Sequence, residues 1–155
     1  MSLDLKAIRE AIAARIQESC NVTAYPYDKA TVVYPRAIVL PGSPAVEYHA
    51  AMRDLCRLNF RIEVRCSAGD SVAAQIALDQ FVNAGTGQSK SVFDALEDLT
   101  VGTTSPNLAG VVENINVESV ELPDGIQFPG PNGEPNGGPF EFTAIFRVAV
   151  KARRD

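Results

Sequence analysis

From Cys56 to Cys66 the chain alternates without a break. Cys56, Leu58, Phe60, Ile62, Val64 and Cys66 share one parity, and Arg57, Asn59, Arg61, Glu63 and Arg65 share the other. A period of two belongs to an extended strand, whose side chains point alternately to opposite faces. The chain must therefore build a sheet with one face in a core and the other polar. The apolar parity extends back through Val46, Tyr48, Ala50 and Met52. The break at Arg53-Asp54 reads as a hairpin tip or a bulge.

The flanking segments supply helices to cover the apolar face. Leu5, Ile8, Ile12 and Ile16 recur at helical spacing and predict a helix over Leu3–Ser19, capped by Ser2 or Asp4 and ended near Asn21. Val22–Tyr27 reads as a short strand that Pro26 confines to an edge or a terminus. Ala37–Leu40 reads as a buried strand, followed by a turn at Pro41-Gly42-Ser43-Pro44. Asp70 is placed to cap a helix over Ser71–Val82, and Ser89 or Ser91 a second, short one to about Leu99. After a polar link, Gly102–Gly110, come a strand from Val111 to about Leu122 and a last strand from Phe140 to Lys151. Phe140, Phe142, Ala144, Phe146, Val148 and Val150 form the inner face of the last strand. Between these two strands, ten of the seventeen residues from Pro123 to Pro139 are Pro or Gly, which predicts the arm or mobile tip of a hairpin. The order α-β-β-β-α-α-β-β predicts an α+β domain over 1–155, with one mostly antiparallel or mixed sheet and helices packed on one face.

Little in the chain points to catalysis. His49 is the only histidine, so a metal site or a Ser-His-Asp site would rest on it alone, and no Gly-x-Ser-x-Gly elbow or zinc spacing accompanies it. Cys20, Cys56 and Cys66 are odd in number, and the last two lie too far apart along one strand to bridge. They read as buried thiols in a reducing compartment. Gly85-Thr86-Gly87-Gln88-Ser89-Lys90-Ser91 suggests a phosphate-binding loop, but Ser89 stands where that loop needs glycine, and the stretch follows a helix rather than a strand. No enzyme, cofactor or metal is expected. No segment is apolar enough to span a membrane, and Met1–Arg15 has no leader-like apolar core.

Charge is the more informative quantity. The net charge is −5, which disfavours general nucleic-acid binding. From Ser91 to Phe146 there are nine acids and no Lys or Arg, whereas Arg53, Arg57, Arg61 and Arg65 stripe the polar face of the alternating strand. A basic stripe and an acidic later half are what two docking faces would require.

The arrangement resembles the tail terminator proteins of long-tailed bacteriophages. Leu5-Lys6-Ala7-Ile8-Arg9-Glu10-Ala11-Ile12-Ala13 resembles the first helix of that family. Ala37-Ile38-Val39-Leu40-Pro41 and the long strand to Cys66 resemble its central hairpin. Ala74-Gln75-Ile76-Ala77-Leu78-Asp79, with Ser91-Val92-Phe93-Asp94-Ala95-Leu96, resembles its paired helices. Head–tail connector and neck proteins share parts of the pattern. The resemblance implies a homo-oligomeric ring, six-fold by expectation, assembled in the bacterial host cytoplasm and residing in the virion tail. Such a ring caps the tail-tube protein, ends its polymerisation and offers its other face to a head-completion protein, while DNA passes through the lumen without specific binding. On this reading Arg57, Arg61 and Arg65 meet acids of a neighbouring subunit such as Glu113, Glu118 or Glu121. The alternatives are a head–tail connector or neck subunit and, from another class, a nucleotide-binding domain using residues 85–91.

Overall fold

The computed structural model describes residues 3–28, 33–48, 54–84, 90–97 and 112–153. His49, Arg53, residues 85–89, the link Gly102–Gly110 and Arg154 lie outside them. The elements are α1 (Leu5–Cys20), β1 (Thr23–Tyr25), β2 (Arg36–Tyr48), β3 (Leu55–Ala68), α2 (Ser71–Val82), α3 (Val92–Glu97), β4 (Asn114–Glu121), β5 (Ile126–Gln127) and β6 (Phe140–Arg153). The expected order holds, with the two-residue β5 added between the last two strands.

The alternating strand is β3, and its full-length partner is the C-terminal strand. β3 and β6 pair antiparallel at every position from Leu55↔Arg153 to Ala68↔Phe140. Both carry the same apolar period, so this register sends both apolar sets to one side. The sheet order is β1-β2-β3-β6-β4, with β5 pairing to β6 beyond the end of β4. β1 runs parallel to β2 and the other pairings are antiparallel, so the sheet is mixed.

All three helices lie on the apolar face. Ile8, Ile12 and Ile16 of α1, Leu78 and Phe81 of α2, and Ala95 and Leu96 of α3 pack in one core with Ile62, Val64, Phe146 and Val148. Each fully buried Ile or Phe contributes about 1.5–3 kcal/mol relative to exposure, so the core is the main source of stability. The helices start where side chains can satisfy their free N–H groups. Asp4 Oδ1 accepts from the Ala7 amide at 3.1 Å, Asp70 Oδ1 from Ala73 at 2.7 Å, and Ser91 Oγ from Asp94 at 3.1 Å. Asn21 ends α1 in the left-handed conformation at φ 52°.

Two segments rich in Pro and Gly have different fates. Pro41–Pro44 is not a turn: β2 runs through it to Tyr48, and the register against β3 shifts between Pro41 and Val46. The extra residues form a bulge folded down on Asn59. A Cβ on Gly42 would stand 2.9 Å from Asn59 Cβ, so this close approach needs glycine. The Asn59 amide then holds the bulge, donating to the Pro44 carbonyl and to Glu47 Oε2, each at 2.9 Å. Residues 123–139 form the expected arm, and backbone bonds run along it. Phe128 N–H donates to the Pro139 carbonyl at 3.0 Å, Gly138 N–H to Phe128 at 3.1 Å, and Gly130 N–H to Glu134 at 2.8 Å. A side chain at Gly138 would collide with the Phe128 and Pro129 carbonyls.

Candidate assembly surface

With every helix on one side, the opposite face of the sheet carries the polar parity of β3. The register decides what meets there. Arg57 lies opposite Glu47 on β2 and Lys151 on β6, Arg61 opposite Leu40 and Arg147, and Arg65 opposite Arg36 and Thr143. Cations therefore neighbour cations across the strands, an arrangement that is unfavourable unless acids intervene.

The acids come from both flanks. The Arg57 guanidinium pairs with Glu118 of β4, reaching across β6, and its Nε lies 3.4 Å from Glu47 and 3.0 Å from Asn59 Oδ1. Between these groups β6 presents Ala149, in register with Asn59 and Asn116, whose small side chain leaves the crossing open. Arg147 Nε donates to Glu121 at 2.9 Å, and Arg153 Nε to Glu113 at 2.7 Å. Glu63 lies between Arg61 and Arg65, 3.8 Å from the first and 3.7 Å from the second. At the far end Tyr34 donates to Glu141. Burial, followed by that bond and the Glu141 charge, raises the Tyr34 pKa and keeps the phenol neutral. Arg36, beside the Tyr34 ring, is almost fully buried.

The six residues singled out in the sequence thus share one face, but Arg57 and Glu118, expected to meet across two subunits, pair here within a single chain. Glu113 and Glu121 are paired too, but with Arg153 and Arg147. Of Arg57, Arg61 and Arg65, Arg61 is the least engaged, 44% exposed and, among the described residues, held only by the 3.8 Å approach to Glu63. Lys151 makes no ion pair among the described residues. The sequence placed Glu63 on the polar parity of β3 and Arg153 in a basic C-terminal end, but it gave neither a partner, and Glu47 and Arg147 were missed. The outward parity of Arg147 and Arg153 on the last strand was a readable signal, but the position of that strand between β3 and β4 was not.

A shallow cleft on this face, about 240 Å³, lies between the β2 bulge and β4, lined in part by Pro44, Glu47, Arg57, Glu118 and Arg147. Its cations and carboxylates already satisfy each other, and its two hydroxyls, Ser43 and Ser119, have no imidazole beside them among the described residues. Among the described residues no group of three His, Cys, Asp or Glu side chains could hold a metal ion. Cys20, Cys56 and Cys66 are buried free thiols. Burial pushes Cys20 and Cys66 up to about 11, Asp94 adding to the effect at Cys20. Both stay protonated and poorly nucleophilic at neutral pH. Of the glycine-rich loop, Lys90 is spent over the Phe81 ring at 5.8 Å and Ser91 on capping α3. No family model and no curated protein matches the chain. No helix among the described residues is long and apolar enough to cross a membrane.

Proposed function

We propose that this chain is a structural assembly protein of a phage tail, a terminator subunit that forms a ring of six by expectation, caps the tail tube and presents its opposite side to a head-completion protein. The observation that carries the reading is the division of the sheet. One face is covered by helices, and the other carries half-exposed arginines and glutamates around a few buried side chains, with no helix over it among the described residues. Such a surface suits docking: paired charges set register and partner choice more than raw affinity. The α+β order that resembles the terminator family adds to it. The subunit would act without catalysis, in the virion tail, with DNA passing through the ring. A contact between different faces of successive copies generates a ring when the rotation closes.

The test is reconstitution. Purified protein added to tail tubes growing from tail-tube protein should stop elongation and appear as an extra ring at one tube end by electron microscopy. Unaltered tube growth, with the protein instead bound at the portal of filled heads, would replace this reading with the connector or neck one. A rise in melting temperature with ATP or GTP would support the nucleotide-binding reading instead.

A further inference from the structure

On the helix side of the sheet, a groove of about 190 Å³ runs between α2 and the root of the arm, with Leu78, Leu122, Pro123 and Phe142 in its walls and Asp79 and Asp124 on its rim. No base lines it, and neither aspartate has an ion-pair partner among the described residues. Leu122 in this groove is 55% exposed, and α2, which forms one of its walls, also exposes Val72 and Ile76. A groove with apolar residues in its walls, Gln75 beside them and two carboxylates without an ion-pair partner among the described residues suits an apolar projection accompanied by a cation.

The opposite face of the same chain carries one. The β2 bulge exposes Pro41, Pro44 and Ala45. Asn59 pins it in place, and it stands beside Arg61, whose register partners are Leu40 and Arg147. Arg61 and Arg147 are set side by side on this face, as Arg36 and Arg65 are further along it, and Arg61 is the poorly paired member of the first pair. The two Asn59 hydrogen bonds hold the bulge in place, which lowers the ordering entropy that opposes its docking.

We infer that the bulge of one copy seats in the α2–arm groove of the next, with Arg61 facing Asp79 and Asp124. This deepens the ring reading and rests on it, since it names the two faces that meet. The contact is heterologous, because bulge and groove lie on opposite sides of one sheet. It also accounts for why the arm root keeps its apolar residues in the open.

Charge reversal tests it. In sedimentation velocity over a concentration series, Arg61→Glu alone and Asp79→Lys/Asp124→Lys together should each raise the concentration of half-assembly by about tenfold or more, and the triple variant should recover most of the loss. The far-UV circular dichroism spectrum of each variant must match the parent, as expected for exposed side chains. If the parent assembles and the reversed variants assemble at the same concentration, the bulge–groove contact is wrong while the ring reading stands. If reversal at the groove is harmless to self-assembly but abolishes binding to the tail tube, the occupant is a partner protein and the inference falls. If the parent stays monomeric throughout, the ring reading fails, and this contact with it.

Discussion

Truncating Arg57 and Glu118 to alanine, singly and together, separates a pair that holds one subunit together from a pair that joins two. The side chains are 37% and 41% exposed, so the solvent screens much of their attraction. Isolated pairs of this kind couple by about 0.2–1 kcal/mol. Arg57 is also held by Glu47 at 3.4 Å and Asn59 at 3.0 Å, which fix its guanidinium before Glu118 is counted. Less side-chain entropy is then lost in the pair, and the coupling should lie near the top of that range, about 1 kcal/mol. The assay is urea unfolding of the four proteins of the cycle, at low micromolar concentration and again about tenfold higher. An intrachain pair gives the same coupling at both concentrations. A coupling absent at the lower concentration and present at the higher would mean that Glu118 answers the Arg57 of another copy, and would refute the placement of this pair inside one chain.

Other consequences follow from single contacts. Phe146→Ala removes a fully buried ring at the centre of the β3–β6 layer and should cost about 3–5 kcal/mol in urea unfolding. Asp70→Ala leaves the Ala73 amide without its 2.7 Å acceptor and should cost about 1 kcal/mol by the same measurement. The raised thiol pKa values make stability fall as pH climbs from 9.0 to about 11, because unfolded Cys20 and Cys66 release protons that the folded chain retains. The slope approaches about 1.4 kcal/mol per pH unit for each thiol, stability below pH 9 is unaffected by these groups, and Cys66→Ala should flatten the decline.

Much of this was readable from residues whose local chemistry leaves little choice. Eleven alternating residues define β3. Asp4, Asp70 and Ser91 cap the helices they precede, and the Pro/Gly-rich stretch before Phe140 forms an arm. What was not readable depends on partners distant in sequence. Pro41-Gly42-Ser43-Pro44 has the composition of a turn, and it stays in β2 only because Asn59 accepts the close approach of Gly42 and ties down the Pro44 carbonyl. The ion pairs depend on strand order. Charge distribution identified a basic stripe and an acidic half, but β6 inserts between β3 and β4, and this insertion hands Glu121 to Arg147 and Glu113 to Arg153. Nothing local to Glu113 or Glu121 indicates those partners.

The most direct test of self-assembly through charged faces is the particle mass in solution across a salt series. Each subunit weighs 16.6 kDa, so six copies give about 100 kDa. Light scattering at low ionic strength should find one closed species of that order, loosening to the subunit mass as salt screens the exposed pairs. A lone 16.6 kDa particle at every concentration and salt level would contradict the account.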